Sequence, residues 1–247
     1  MAPQKTAGTG SSPIQEALAM FTSDALKSMV LSLGADRCGI APIERFSSAP
    51  GGFRPTDIYS KCKSVVVFLK KMPRDVIVAE NPIPYSHTAE LLYQALDHLG
   101  LKLCSELEKH AVQVVPVVTD VPYLSWDAEN KHAKGILSMR HAAFHAGLGI
   151  LGRNTLLMNR EFGNMVYIGA VLLDTEFEPD PVVTDFACPP GCRLCLDACP
   201  VQALDGTTVS QKRCRSFSFI QHPRGWDIYT CNACRKVCPY RDGRTRY

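Results

Sequence analysis

Eight cysteines between Cys188 and Cys238 form the clearest chemical pattern in the chain. Cys192-x-x-Cys195-x-x-x-Cys199-Pro200 is echoed by Cys231-x-x-Cys234-x-x-x-Cys238-Pro239, with Cys188 ahead of the first copy and Cys214 between the two. A C-x-x-C loop folds two thiolates onto one inorganic cluster while its backbone N–H groups point at the sulfurs and temper their charge. The proline after each last cysteine turns the chain away from the ligand loop. These spacings predict two 4Fe–4S clusters and therefore electron transfer. In two-cluster ferredoxins the cysteine before the proline ligates the other cluster. On that rule Cys188, Cys192, Cys195 and Cys238 hold one cluster, and Cys199, Cys214, Cys231 and Cys234 hold the second. The first run is irregular, because Pro189-Pro190-Gly191 separates Cys188 from Cys192 where two residues are usual. Cys214 is assigned because the second cluster needs a fourth thiolate. Zinc knuckles also use C-x-x-C, but nothing in zinc chemistry calls for a repeated Cys-x-x-x-Cys-Pro ending.

The compartment decides how the 11 cysteines are read. Met1 to Pro13 is Gly/Ser/Thr-rich with no apolar core of an export signal, and no apolar run reaches the ~18 residues of a membrane span. A reducing cytoplasmic location is expected, where clustered thiols serve as ligands rather than disulfides. Cys38, Cys62 and Cys104 then read as buried small apolar residues. With 46% hydrophobic and 21% charged residues and a net charge of +3, the composition is that of an ordinary folded chain and names neither nucleic acid nor membrane as a partner.

Outside the cysteines the candidates are sparser. Gly147-Leu148-Gly149-Ile150-Leu151-Gly152 fits the dinucleotide fingerprint, yet that motif must follow a strand and open a helix. Here a helix runs in and a strand runs out. The glycines, with Arg153, Asn154 and Thr155, are instead expected to form a bend that lets the backbone approach a flat cofactor or a cluster. His141 and His145 share a helix face without a third ligand, which fits a structural or capping role better than a metal pair. Arg140, His141 and Arg153 could hold anionic groups. Asp120, Tyr123 and His141 are candidate catalytic groups, and Tyr85 is a further possible proton donor or a core-edge residue. Arg235, Lys236, Arg241, Arg244 and Arg246 surround the second run and could steer an acidic electron donor.

The elements that must position these residues alternate between helix and strand. Helical spacing covers Ile14 to Leu33 and stops at Gly34; strands are predicted at Cys38 to Ala41 and Ser64 to Leu69. A long amphipathic helix follows over Thr88 to Ala111, then a strand over Val112 to Val118 in which Pro116 argues for an edge position. A helix is predicted over Lys131 to His145, and a hairpin joins Thr155 to Asn159 with Met165 to Leu173 through the turn 160–164. The Pro- and acid-rich stretch Glu176 to Thr184 marks a boundary. The expected organisation is an N-terminal tail over 1–13 without fixed structure, an α/β domain over 14–180 and a cluster domain over 181–247.

The stretch Ala146 to Asp174 (AGLGILGRNTLLMNREFGNMVYIGAVLLD), followed by the two Cys-Pro runs, resembles the epoxyqueuosine reductase family and its relatives, which include the iron–sulfur half of reductive dehalogenases. The likeness extends weakly upstream through Gly34 to Pro42 and Lys63 to Leu69. It implies an α/β (α+β) domain like those of nitroreductases and B12-trafficking proteins, followed by a bacterial-ferredoxin-like domain, with a cobalamin in the first fed by two 4Fe–4S clusters in the second. Two departures limit the transfer. The family's proton-donating aspartate sits in a V-D-T-A-P segment, and counting back its spacing from Ala146 lands on His132-Ala133-Lys134, where there is no acid. Thr119-Asp120-Val121-Pro122 echoes that segment only if an insertion separates it from Ala146. Those enzymes also continue into a helical-repeat region that contacts tRNA, whereas this sequence stops shortly after Asp242, so reduction of epoxyqueuosine and binding of tRNA are not expected.

Two functions remain. One is an oxidoreductase that takes electrons from a low-potential donor, passes them through both clusters and reduces a corrinoid or substrate lodged against the Gly147 to Thr155 bend. The other is an electron-delivery protein without a cofactor in its α/β domain, which reduces or reactivates a partner such as a corrinoid protein.

Overall fold

The computed structural model describes residues 21–243; the predicted N-terminal tail, the start of the first predicted helix, Arg244 and Arg246 lie outside them. The first helix, α1 (Ser23–Ser32), begins at Thr22, whose hydroxyl accepts from the Ala25 N–H at 3.2 Å. Strand β1 (Arg37–Pro42) follows, then a short helix α2 (Pro55–Ile58) and strand β2 (Ser64–Lys71). The long helix α3 (Pro82–Glu108) starts well before the Thr88 suggested by the sequence, because Asn81 caps it and Pro82 occupies a first-turn position that needs no N–H donor. Strand β3 (Val114–Val117) closes this half.

The predicted helix over 131–145 is half wrong. Its first part forms a hairpin of β4 (Ser125–Asp127) and β5 (His132–Lys134), and only α4 (Met139–His145) is helical. Gly135 breaks the periodicity between them. The predicted hairpin partner is also different. Strand β6 (Ile150–Leu151) pairs with β7 (Leu157–Met158), while β8 (Val166–Leu173) enters the main sheet.

That sheet is antiparallel, in the order β1-β2-β8-β3, which puts Pro116 on an edge strand as expected. Strand β8 is buried at every position and β2 at six, because both faces are covered. Alternation sends Val66, Phe68, Val171 and Leu173 to one face with Leu26, Val30, Leu96 and Leu103 of α1 and α3. Val65, Val67, Leu69, Ala170 and Leu172 face the other side with Ala142, Ala143 and Ala146 of α4.

Beyond β8 the chain runs without regular structure, anchored by buried Phe177 and by Asp180, which accepts from Lys27 Nζ at 3.0 Å and from the Ile40 N–H at 2.9 Å. The cysteine-rich part then contains α5 (Leu194–Asp197), α6 (Gln211–Ser218), the hairpin of β9 (Phe219–Gln221) and β10 (Asp227–Tyr229), and α7 (Ala233–Lys236). Among the described residues no helix is long and apolar enough to cross a membrane.

Candidate functional site

The sequence repeat is also a backbone repeat. Arg193 and Asn232 occupy equivalent positions ahead of α5 and α7, with φ/ψ of −126°/5° and −136°/19°. The N–H groups of Leu196, Asp197, Ala198 and Cys199 make the same turn bonds as those of Arg235, Lys236, Val237 and Cys238. Each C-x-x-C is thereby wound into one helical turn, and α5 packs against α7.

This arrangement sorts the eight thiols into two groups. Cys188, Cys192, Cys195 and Cys238 line one small cavity, together with Arg153, Asn154 and Met158. The thiols of Cys199, Cys214, Cys231 and Cys234 lie close enough to one another to interact electrostatically. The composition of both groups is the crossed one, with each pre-proline cysteine facing the other run. Burial pushes the Cys234 and Cys238 thiols up to about 11 and raises those of Cys195 and Cys214, with neighbouring thiols adding to it, so ligation must expel protons from these positions. Among the described residues no three His, Cys, Asp or Glu side chains converge tightly enough to share a single metal ion.

The cysteine-rich part is keyed to the sheet by polar contacts from the loop after β6. Arg153 donates to the Cys192 carbonyl at 2.9 Å and Asn154 to the Cys234 carbonyl at 3.2 Å, while Asn164 donates to the Arg235 carbonyl at 3.3 Å. Arg235 is buried, donates to the Asn164 carbonyl and lies over the Tyr167 ring. It therefore cannot steer a partner at the surface, and Arg241 is engaged by Asp242 at 2.7 Å.

The glycine bend does not face open space. Gly147, at φ +71°, ends α4 with the Leu148 N–H bonded to Ala143 O and its own N–H to Phe144 O, a helix-stop motif in which a left-handed residue is needed. A Cβ on Gly147 would sit 2.2 Å from Pro181 O, one on Gly149 2.2 Å from Met158 O, and one on Gly152 2.6 Å from Met158 Sδ. The close approach expected of these glycines is to the protein's own backbone and side chains. Arg153 and Asn154 turn to the thiol cavity, and Thr155 accepts from Arg140 at 2.8 Å. Of the two neighbours expected for the bend, a flat cofactor or a cluster, the glycines' packing leaves no room for the first, and Arg153 and Asn154 lie beside the thiols that would hold the second.

The open cleft lies on the other side of α4. One cavity of about 590 Å3 is walled by Phe46, Phe53, Asp120, Tyr123, Ser138, Met139, Arg140, His141, His145 and Arg215. A second of about 950 Å3 shares Asp120, Tyr123 and Arg215 with it, and a third of about 320 Å3 reaches from Thr119 and Arg140 past Tyr85, Tyr93 and Tyr229 to Asn164 and Arg235. The three candidate catalytic residues thus meet here. Asp120 accepts from Tyr123 Oη at 3.3 Å, and burial raises its carboxyl against the opposing influence of that bond and of Arg215. Ser138 Oγ and His141 Nδ1 are 2.7 Å apart, and His145 meets the Phe46 ring edge-on. Burial lowers both imidazoles, helped by Arg140 for His141 and by His141 and Arg45 for His145, which favours their neutral forms. The β4–β5 hairpin lies between Asp120 and α4 along the chain. Arg215, absent from the sequence candidates, follows Cys214 directly and so ties the second thiol group to the cleft; adjacency to a candidate ligand cysteine was the signal that could have found it. Cys62 and Cys104 are buried and Cys38 half-buried, away from both thiol groups.

Comparison with known proteins gives the same resemblance as the sequence motifs. No family model matches the chain. The epoxyqueuosine reductase of Staphylococcus aureus is 35% identical over 121 residues, which is 44% of this chain and 31% of that protein, and the Bacillus subtilis enzyme is 32% identical over 122 residues with the same coverage. The chain thus matches about a third of the length of these curated relatives. Among solved structures, epoxyqueuosine reductase from Streptococcus thermophilus superposes with a TM-score of 0.64 at 21% identity, covering 91% of this chain and 67% of that one. An epoxyqueuosine reductase solved with an epoxyqueuosine-modified tRNA stem loop gives 0.61 at 22% identity, covering 91% and 66%. A catabolic reductive dehalogenase in complex with 3-bromo-4-hydroxybenzoic acid gives 0.69 at 18% identity, covering 92% and 33%. The fold is the mixed α/β fold of these proteins.

Proposed function

We propose that the chain is an iron–sulfur oxidoreductase in which residues 181–247 form a ferredoxin-like domain with two 4Fe–4S clusters, and the cleft of the α/β domain holds a corrinoid or the substrate itself. The observation that carries this reading is the join between Cys214 and Arg215. One residue belongs to the second thiol group and the next lines the cleft beside Asp120. Arg235, next to Cys234, lines the same cleft from another side. Electrons leaving the second cluster would enter the cleft directly, and the first cluster, held by Cys188, Cys192, Cys195 and Cys238, would receive them from a low-potential donor.

Within the cleft, Asp120 is the group suited to supply a proton, since burial keeps its carboxyl protonated to higher pH than an exposed aspartate and Tyr123 holds it in place. Neutral His141 and His145 could orient a polar group beside it. The adjoining cavities of about 590 and 320 Å3 leave room for a cofactor beside the cavity of about 950 Å3. A corrinoid bound there would supply a cobalt centre able to take low-potential electrons; the chain's part is to seat it, exclude water and hold the proton at Asp120.

The test is anaerobic addition of cob(II)alamin to the cluster-loaded protein, followed by electron paramagnetic resonance. Conversion from base-on to base-off coordination at near-stoichiometric binding is the expected result. A spectrum that stays base-on removes the corrinoid and leaves an electron-delivery protein that reduces a partner.

A further inference from the structure

The two hairpins absent from the sequence-based element plan face each other across the cavity of about 950 Å3. We propose that this cavity is the substrate site of the reductase described above, and that it takes a planar aromatic or heteroaromatic ring that is neutral or cationic; the inference rests on that reductase reading.

The chain has two tryptophans, and both stand on this cavity, Trp126 from β4 and Trp226 from the turn between β9 and β10. They are 50% and 51% exposed, an unusual state for the side chain with the most apolar surface to hide. Tyr123, Phe219 and Tyr229 complete the aromatic wall. The rings are held in place without a ligand. Arg215 lies 5.5, 5.3 and 5.6 Å from the ring centres of Tyr123, Trp126 and Phe219, and His222 stacks on Trp226 at 4.5 Å with Arg224 beside it. The hairpins themselves are tied to their surroundings. Gln211 of α6 pairs with the Ala133 backbone at 3.0 and 3.1 Å, and the Tyr229 N–H donates to Ser86 Oγ at 3.1 Å. Flat walls fixed in advance reduce the ordering cost of binding and select a flat ligand.

Charge narrows the class. Besides protonated Asp120, Glu90 and Asp227 line the cavity against Lys131 and Arg215, and Arg215 is already committed to three rings, which leaves two carboxylates facing one uncommitted cation. An anionic ring would meet the surplus of carboxylates, whereas a neutral or cationic ring would not. Asp120 and Arg215 are shared with the neighbouring cavity of about 590 Å3, so a ring bound here reaches the proton donor without filling the space left for the cofactor.

The test is anaerobic calorimetric titration of the full, cluster-loaded chain with three probes: N-methylquinolinium, cyclohexyltrimethylammonium as a cation without a ring face, and 2-naphthoate as a ring of opposite charge. N-methylquinolinium should bind at least about tenfold more tightly than either control, and Trp126→Ala and Trp226→Ala should each weaken it by about tenfold, as loss of one stacking face does. Trp126→Phe and Trp226→Phe should regain most of the affinity, which separates a lost ring face from a misfolded hairpin. Equal binding of cyclohexyltrimethylammonium, equal binding of 2-naphthoate, no binding of any probe, or alanine variants that bind like wild type would each overturn the proposal. Displacement of N-methylquinolinium by cob(II)alamin would also overturn it, giving the cavity to the cofactor while the reductase reading stands. Ring binding in a protein that leaves cob(II)alamin base-on would keep the ring site and remove the corrinoid.

Discussion

Gly163→Ala should either destabilise the clamp between the sheet and the cysteine-rich part or cost the protein one of its two proposed clusters. Gly163 sits in the turn before β8 at φ +60°, and a Cβ placed on it would lie 1.9 Å from Tyr240 O and 2.2 Å from Arg241 O. Two terms follow. Holding a non-glycine residue in the left-handed region costs about 1–2 kcal/mol. Forcing extra volume into a packed contact adds about 1–3 kcal/mol, because the obstructing atoms are backbone and cannot rotate aside. The total is about 2–5 kcal/mol if the contact is kept. If the chain yields instead, Tyr240 and Arg241 move, and they follow Cys238 and Pro239 directly, so Cys238 is pulled from Cys188, Cys192 and Cys195. Gly225→Ala is the control, since Gly225 has φ +94° but nothing within 4 Å of its would-be Cβ and carries only the conformational term. Urea denaturation and iron content of both variants, prepared anaerobically, separate the outcomes. Gly163→Ala should be less stable than Gly225→Ala by about 1–3 kcal/mol, or should fall from about eight irons per chain to about four. If the two variants match in both stability and iron, the clamp between the turn and residues 240–243 does not hold Cys238 in place, and the reasoning fails.

The proposed crossed ligand sets predict that Cys192→Ala and Cys238→Ala remove the same cluster and Cys199→Ala the other; residual Mössbauer spectra of the first two should match and differ from the third, and a match between Cys192→Ala and Cys199→Ala would mean that the pairing is not crossed. For Asp120, the raised carboxyl implies that the folded state binds its proton more tightly than the unfolded chain does. Its contribution to stability is therefore complete below the ordinary carboxylate range and is lost as pH rises through the folded value. Melting temperatures of wild type minus Asp120→Asn should decline across that window, and a flat difference would place Asp120 in water. Arg235→Met removes the donor to the Asn164 carbonyl and should destabilise by about 1.5–3 kcal/mol in urea, as loss of a buried charged hydrogen bond does; a neutral effect would mean that the guanidinium acts only as packing over Tyr167.

Local chemistry was legible in the sequence wherever ligand spacing or a continuous apolar run decides the answer. The C-x-x-C-x-x-x-C-P repeat predicts two crossed thiol quartets because a cluster's thiolates must come from fixed positions on a tight loop, and the structure gathers the eight cysteines in those two groups. The runs Ser64 to Leu69 and Met165 to Leu173 read as strands because β-branched residues buried on both faces need no alternation. The first strand, the long helix and the edge position of Pro116 followed from similar local signals.

What failed depended on partners distant in sequence. Residues 131–134 carry enough apolar and charged spacing to extend α4, but pairing with 125–127 and the hold of Gln211 on Ala133 make them a hairpin. The run 155–159 looked like the partner of β8, yet Val114 to Val117 and Ser64 to Lys71 take both edges of that strand, so residues 157–158 pair with 150–151 instead. The glycine bend was read as approaching a flat cofactor or a cluster because glycine signals close approach without saying to what; only the folded chain reveals Pro181 and Met158 as the glycines' neighbours. Asp120, remote from Ala146 in sequence, reaches the cleft because the hairpin loops out between them. The sequence by itself therefore determined the grouping of the thiols and the buried strands, which are set by covalent spacing and hydrophobic burial, while the tertiary structure decided which polar residues share a cavity, because proximity between distant segments arises only when the sheet and helices pack.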